Sequence, residues 1–500
     1  MTGLRVSVGD VVDFGAASGD RNPLHLDREF ALRSAYGRPV AHGALATIVA
    51  LGLAADREEL ARVVELSVDF DQPVLPGLTY RVRRSPRGVE VRLGELRVLT
   101  ARWTLADRAA DTAPAAPAAR GAGADRPGPP PLPDGGGPRV LGLAELAGLV
   151  DESYAYRVDS AALAELLSRG AAAGVPDALT GPLAWASFHT GMRTPGRDGL
   201  LVGIRLRLTG ARERPAEVWS CRAEPPLVHR RTGMVTVHAE LDGAASATLT
   251  LVSLLRRQVA APTLVETLGT LPRSNALAGR TVAVIGGGRG LGAALSCSLA
   301  GQGARVLAVS STPATALTRE ASAERLPIEP LTCDARDPEA LTTAFSGVAL
   351  DGLVLAAAPR ILSLPVAAAT VPECVDHVAD AARLVLAPLA AAHELLAERA
   401  FVVFVSSSAV LEPPAAWPHY AAAKAAIEGL AGHLARHRPG LRVVVARPPR
   451  MWTEMTNGPA GAAGATPVGV VAGAVVRHLL SGPAASGRPD VLGPDALSGP

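Results

Sequence analysis

Thr281-Val-Ala-Val-Ile-Gly-Gly-Gly-Arg-Gly-Leu-Gly292 sets five residues of strand character directly against a run of glycines. The apolar stretch is short and rich in β-branched side chains, so it predicts a buried strand. Gly286, Gly290 and Gly292, in GxxxGxG spacing, predict a tight turn that opens a helix. Such a turn lets backbone N–H groups approach a pyrophosphate at a helix N-terminus. Working outward, further strands are predicted at Ala304–Val309, Leu353–Ala357, Phe401–Val405 and Arg442–Ala446. Helical stretches of roughly 12 to 20 residues separate them, and this alternation implies a parallel sheet with helices on both faces. The block 276–481 is therefore expected to be an α/β doubly wound parallel sheet. Ligands meet such a sheet at the carboxyl ends of its strands.

Two further features fall in this block. Lys424 is the single lysine of a chain whose other basic side chains are arginines, 49 Lys and Arg in all. It follows Tyr420 by four residues, which places both on one face of a helix. A neighbouring cation eases loss of the phenolic proton, and a compact ammonium does this in a way that a planar guanidinium does not. Upstream, Phe401-Val-Val-Phe-Val-Ser-Ser-Ser408 ends a strand in hydroxyls, with Ser407 thirteen residues before Tyr420.

Taken together, the block resembles the short-chain dehydrogenase/reductase family over about 200 residues, with a Rossmann-like fold. The resemblance implies a nicotinamide cofactor and hydride transfer between carbonyl and alcohol. It makes Tyr420 the proton donor, Lys424 the group that lowers the phenol's pKa and holds the ribose, and Ser407 a hydrogen-bond partner of the carbonyl oxygen. Asp334 matches a contact to the adenine ring, and Thr453 a contact to carboxamide or phosphate. NAD-selective sites carry an acid after the second strand; here that position reads Val309-Ser310-Ser-Thr312. With no acid at Ser310 and with Arg289 in the glycine loop, NADP(H) is expected. Two departures stand out. Leu355-Ala-Ala-Ala358 replaces the family's Asn-Asn-Ala-Gly, and the family's asparagine on the following helix is missing, since the asparagines are Asn22, Asn275 and Asn457.

Blocks 1–107 and 139–258 read differently. Each has one long apolar helix, at Gly43–Leu53 and Leu183–Met192. Alternating strands follow, at Val63–Phe70, Leu96–Trp103, Leu201–Leu208 and Val235–Leu254. One helix wrapped by an antiparallel sheet suits both, so they are expected to be two copies of one α+β architecture. The first contains Ala17-Ser-Gly-Asp20-Arg-Asn22-Pro-Leu-His25-Leu-Asp27. A carboxylate and an imidazole five apart around a proline can converge on one small molecule and suit coupled movement of a proton and a water; the same spacing also fits a capped turn, with Asp20 as N-cap and His25 on the surface.

With Tyr36-Gly-Arg-Pro-Val-Ala-His42-Gly43 and Phe70-Asp-Gln-Pro-Val-Leu-Pro-Gly77, this block resembles the MaoC-like (R)-specific enoyl hydratases, which have a hot-dog fold. The resemblance makes Asp20 and His25 the hydrating pair and Asn22 their orienting group. The backbone N–H of Gly43 becomes the oxyanion donor, and His42 a packing residue at the helix start. The second copy has no D-x4-H. It is read as a degenerate hot dog that completes a pseudo-dimer, with His189 a packing residue.

The remaining segments are a Pro/Gly/Ala-rich linker at 108–138, a shorter break near Ala260–Asn275, and a flexible tail at 482–500. Net charge is +2 at pH 7, which excludes a basic field for nucleic acid or anionic membrane. The four cysteines form no CxxC pair, so neither a metal site nor a disulfide framework is expected. With no signal pattern and no apolar run of membrane-spanning length, the expected location is cytoplasmic. The combined reading is a reductase and a dehydratase that convert a 3-oxoacyl thioester into a trans-2-enoyl thioester, as in fatty acid or polyketide biosynthesis. The carrier, an acyl-carrier protein or coenzyme A, stays open, as does a homodimer. Two alternatives also stay open: a hydratase with a weak, cofactor-binding reductase domain, or a reductase with acyl-binding hot dogs.

Overall fold

Alternating apolar residues become strands that bury one face. The computed structural model describes residues 3–32, 34, 36–106, 136–211, 217–256, 267, 269–456, 464–481 and 485–499. The chain divides into two compact units, Met1–Arg257 and Gln258–Pro500. The linker expected at 108–138 lies almost wholly outside the described residues, and so does much of the break after Ala260.

In the first unit, β1 (Gly3–Arg5), β2 (Val63–Phe70), β3 (Thr79–Ser85), β4 (Gly88–Leu93) and β5 (Leu96–Leu105) come from the first copy. The second copy supplies β6 (Glu152–Arg157), β7 (Gly199–Ala211), β8 (Val218–Ala223), β9 (Leu227–His229), β10 (Met234–Asp242) and β11 (Ala245–Leu255). They form one sheet in the order β1-β3-β4-β5-β2-β7-β11-β10-β8-β6, with β9 beside β10. From the centre outward the copies read β2-β5-β4-β3-β1 and β7-β11-β10-β8-β6. With β9 set aside and strands counted within each copy, both orders are second, fifth, fourth, third, first.

The copies join through the antiparallel pair β2–β7, from Glu65 opposite Arg207 to Asp69 opposite Gly203. Each copy buries one apolar helix, Gly43–Ala54 or Asp177–Phe188, and the two helices pack on each other. This is the double hot dog expected from the sequence. The second helix starts before Pro182 and ends in a wider π turn, His189–Arg193. Turns of that kind recur at functional sites.

The second unit is a seven-stranded parallel sheet: β12 (Thr281–Ile285), β13 (Arg305–Ser310), β14 (Ile328–Thr332), β15 (Leu350–Leu355), β16 (Leu396–Val405), β17 (Arg442–Ala446) and β18 (Asp490–Leu492). Its order, β14-β13-β12-β15-β16-β17-β18, is doubly wound, with the direction of winding reversing between β12 and β15. Val282, Val284, Val403 and Val444 enter the core on one face, and Ala283, Ile285, Val402 and Val443 the core on the other. Continuous apolar strands are what a sheet covered on both faces requires.

The C-terminus corrects one expectation. In place of a flexible tail, Asp490–Leu492 pairs with β17 as an edge strand, and Leu497 of the following short helix is fully buried. Three residues carry no readable period, and a strand joining an existing edge needs no more. Gly482–Ala484 and Pro500 lie outside the described residues.

Candidate active sites

A capping box, Ser7 with Asp10, starts the helix Val8–Ser18, and Gly19, at φ 74°, ends it. The chain then turns so that Asp20 is buried, and Asn22 caps the next short helix by accepting from the Leu24 N–H at 2.9 Å. Asp20, His25 and His42 offer polar atoms within 4.8 Å of one another. His25 Nδ1 lies 2.8 Å from the Val40 carbonyl. A carbonyl only accepts, so Nδ1 carries the proton and Nε2 is left as the base. His42, the N-cap of the helix Gly43–Ala54, lies with its ring centroid 3.9 Å from that of His25. Its Nε2 donates to the Asp20 carbonyl oxygen at 3.2 Å. Gly43 follows as the first helical residue, where amides have no intrahelical acceptor.

The second copy builds the opposite wall. Ser187 Oγ donates to Asp20 Oδ2 at 2.6 Å, while the Asn22 N–H donates to Oδ1 at 3.1 Å. Asn22 Nδ2 donates to the carbonyls of Gly191 at 2.9 Å and Arg197 at 3.2 Å. Gly191 presses on the carboxylate so closely that a Cβ there would stand 2.3 Å from Oδ1. Tyr156 donates to the Ser18 carbonyl at 2.8 Å and fixes the loop from behind.

Electrostatics follow from this burial. Desolvation raises the pKa of Asp20, against the opposing effects of His25 and Ser187. Desolvation lowers that of His25, against the opposing effect of Asp20. His42 is held neutral, well below the usual histidine range, by burial and by His25. A carboxyl inclined to keep its proton beside an imidazole inclined to stay neutral is a donor–acceptor pair. Both carboxylate oxygens already accept hydrogen bonds, so the cluster suits proton transfer better than metal ligation.

In the second unit, Gly286, at φ 80°, and Gly290, at φ 54°, adopt backbone angles that favour glycine. A Cβ on Gly292 would lie 2.0 Å from the Gly286 carbonyl oxygen, and one on Gly286 would lie 2.8 Å from Ala357 N. The glycine loop thus packs directly against the backbone that follows β15. The helix Gly290–Gly301 begins with no side-chain cap at Arg289. Arg289 pairs instead with Glu454 at 3.2 Å, beside Thr453, whose N–H donates to Thr456 Oγ1 at 3.1 Å. Ser310 Oγ donates to the Thr312 carbonyl at 2.7 Å. Asp334 is held by Arg336 at 2.8 Å, and that hydrogen bond keeps its pKa below the usual carboxylate value.

The helix Pro418–His437 brings Tyr420 and Lys424 to the end of β16, where Ser407 is near enough to the phenol to pull its pKa down. Lys424 donates to the Val405 carbonyl at 2.7 Å and lies 5.7 Å from the phenol ring centroid. Here the electrostatics differ from expectation. Burial raises the Tyr420 pKa, Ser407 opposes it, and the lysine contributes no resolved lowering. The ammonium is spent on a carbonyl, and burial lowers its own pKa to about 8. Glu428 ties Ser406, at 2.6 Å, to Arg447, at 2.6 Å, and so locks this helix to the strand ends.

Residues 2–102 match the family description MaoC like domain, and residues 280–460 match short chain dehydrogenase. The chain thus carries one region similar to each of these two families. The MaoC-like half is 37% identical over 75 residues to an (R)-specific enoyl-CoA hydratase of Aeromonas caviae, covering 15% of this chain and 56% of that one. It is 50% identical over 38 residues to a 3-hydroxybutyryl-CoA dehydratase of Methylorubrum extorquens, covering 8% and 24%. The chain thus spans between a quarter and somewhat over half of these relatives. The dehydrogenase half is similar to a dehydrogenase/reductase of Sinorhizobium meliloti 1021, at 28% identity over 45% of this chain and 97% of that one, with a TM-score of 0.40.

The MaoC-like site includes residues the sequence does not announce: Ser187, Gly191 and Arg197. They lie more than 160 residues from Asp20 and match no local motif. In the dehydrogenase half, the helix Val371–Ala392, read from the sequence as lacking the asparagine that the resemblance would place there, presents His377. Its ring lies 4.5 Å from that of His419 and 6.4 Å from Tyr420.

Among the described residues, no helix is long and apolar enough to cross a membrane.

Proposed function

We propose that the dehydrogenase domain reduces a 3-oxoacyl thioester to a 3-hydroxyacyl thioester, and that the paired hot dogs dehydrate it to the trans-2-enoyl thioester. The product of one site is the substrate of the other, which favours carrying both on one chain. The observation that carries the reading is the buried Asp20–His25 pair. Its donor and acceptor are each biased toward the protonation state that dehydration needs.

In dehydration, His25 Nε2 takes the α-proton, and the Gly43 N–H stabilises the enolate-like oxygen. Asp20 gives its proton to the departing hydroxyl, which leaves as water. The pair ends as imidazolium and carboxylate, and Ser187 and the Asn22 N–H then hold the carboxylate. Hydration runs the same transfers backward. The two states hold the same number of protons, so the pair titrates as a unit.

The glycine loop fits a nicotinamide dinucleotide. It has two left-handed glycines, backbone packing that any Cβ would obstruct, and an uncapped helix start. Bound there, that group would supply the hydride. Tyr420 would donate the proton to the carbonyl oxygen, Ser407 would orient both, and Lys424 would hold the ribose. Gly286, Gly290 and Gly292 would cradle the pyrophosphate, Asp334 would contact the adenine ring, and Thr453 the carboxamide or a phosphate. NADPH is favoured because no acid follows β13 at Ser310, and a 2′-phosphate would draw Arg289 from Glu454. The substrate is an acyl thioester on an acyl-carrier protein or coenzyme A.

The test is a coupled assay on the full chain, with a 3-oxoacyl thioester and NADPH. Loss of NADPH and appearance of the enoyl product are both expected. Asp20→Asn should let the 3-hydroxyacyl thioester accumulate while NADPH is still consumed. Failure of the wild type to hydrate or dehydrate any short or medium acyl thioester, on either carrier, would sink the bifunctional reading.

A further inference from the structure

Positive charge stands beside the Asp20–His25 pair, and proton transfer does not use it. Arg256 follows β11 in the second copy, and its side chain is only 7% exposed. Its Nη2 donates to the Arg197 carbonyl at 3.3 Å, the same oxygen that accepts from Asn22 Nδ2 at 3.2 Å. The guanidinium and the site's amide therefore meet on one atom. Arg256 is close enough to His25 to oppose its protonation, and close enough to Tyr36 to act on that phenol.

Arg197 joins it, and the two guanidinium carbons lie 5.5 Å and 5.9 Å from the ring centroid of Phe30. The Nε of each arginine is buried without a hydrogen-bond partner. Among the described residues, one carboxylate pairs with them. Asp198 Oδ2 is 2.9 Å from Arg197 Nη2, and Oδ1 is 3.9 Å from Arg256 Nη2. Two fixed cations thus share one anion. Desolvation lowers the pKa of Arg256, yet an arginine stays charged. A buried cation without a close counter-charge is costly, and an anionic ligand relieves that cost.

We propose that Arg256, with Arg197, binds a carboxylate on the acyl part of the substrate. The dehydratase substrate is then a thioester whose acyl chain carries its own acid group. This rests on the hydratase reading of Asp20 and His25. An Nε–H beside an Nη–H matches the two oxygens of a carboxylate. A phosphate on the carrier has the same charge, but it lies a full pantetheine arm from the thioester. Arg256 instead acts on His25, the residue placed at the reacting carbons.

The experiment measures hydration by the full chain of two enoyl thioesters, one ending in a methyl group (crotonyl) and one in a carboxylate (3-carboxyacryloyl). Each is made on coenzyme A and on pantetheine lacking phosphate. The wild type should favour the carboxylate substrate in kcat/KM by about tenfold or more. Arg256→Gln should collapse that preference through KM, and Arg256→Lys should restore part of it. A wild type that favours crotonyl overturns the proposal, whether or not the Gln variant folds. So does an Arg256→Gln variant that loses both substrates in equal proportion, which marks a structural role. If the wild type instead favours coenzyme A over pantetheine and Arg256→Gln abolishes that preference, the anion is the carrier's phosphate and the proposal is wrong. Hydration of neither substrate by the wild type would defeat the hydratase reading itself, a separate outcome.

Discussion

Replacing Gly191 with alanine adds one methyl group to the second copy and aims it at the Asp20 carboxyl of the first. The new Cβ would stand 2.3 Å from Asp20 Oδ1 and 2.9 Å from Cγ. Ordinary contact begins about 1 Å farther out, so the carboxyl must retreat by roughly that distance. It has little room to do so. Ser187 holds Oδ2 at 2.6 Å, the Asn22 N–H holds Oδ1 at 3.1 Å, and His42 Nε2 stands 3.8 Å away. Gly191 does not use a left-handed φ, so the methyl group itself is the whole perturbation. A displacement of about 1 Å in an acid–base group costs on the order of 100-fold in rate, and overpacking of this kind costs about 1–3 kcal/mol in stability. Hydration of an enoyl thioester and NADPH-dependent reduction should be measured on one preparation of full-length Gly191→Ala. The expected result is a hydration rate down by about two orders of magnitude, with reduction retained. Hydration within about threefold of wild type would refute the reasoning, because Asp20 would then not depend on the second copy for its position.

Ser187→Ala removes a hydrogen bond to a charged acceptor, worth about 1.5–3 kcal/mol; hydration should fall by roughly 10- to 100-fold, and the alkaline limb of its pH profile should move up, since the carboxylate form is destabilised. An unshifted profile would exclude Ser187 from that role. Burial lowers His189 to about 3 and His377 to about 4. In each case the unfolded chain binds the proton more tightly, so stability is full above about pH 6.5 and falls as pH drops toward those values, by up to about 1.4 kcal/mol per pH unit per histidine. Urea titrations at pH 7 and pH 4.5 should show this loss, and His377→Gln should reduce it; greater stability at the lower pH would contradict the assignment. Lys424, lowered to about 8, should lose its charge in the cofactor-free chain as pH rises past that value. Nucleotide affinity, read by fluorescence titration, should weaken above pH 8 in the wild type but not in Lys424→Met.

What was legible in the sequence was local. Tyr420 and Lys424 fall on one helix face because four residues make about one turn. Asp20 and His25 converge because one proline-started turn separates them. The glycine loop shows itself because backbone approach requires glycine. What was not legible depends on partners far along the chain. Ser187, Gly191 and Arg256 reach the Asp20 site only because β2 pairs with β7, and no period or spacing records that pairing. The pKa of Tyr420 went unread for a different reason. Sequence shows which charges can be neighbours, but not how much water each has lost, and at Tyr420 desolvation is the largest effect. The strand Asp490–Leu492 was missed because an edge strand of three residues has no pattern to find.

The absence of D-x4-H from the second copy follows from the geometry of the duplication. With the same strand order in both copies, the end of each copy's helix faces the other copy's loop. At one such junction, Ser187 and Gly191 meet Asp20. At the other, the first copy's helix Gly43–Ala54 meets the turn Ala171–Gly174, where a Cβ on Gly174 would lie 3.7 Å from Arg57 Cβ. That turn is built from alanine and glycine and offers no side-chain acid or base. Two identical hot dogs would each need a catalytic loop and also a wall shaped to the partner's loop. A fused pair divides those demands. On the proposed reading the first copy keeps the acid–base loop, while the second keeps only the wall: a hydroxyl, a glycine that leaves room for the carboxyl, and two arginines. The second copy therefore looks degenerate by motif, yet it supplies the groups that position Asp20.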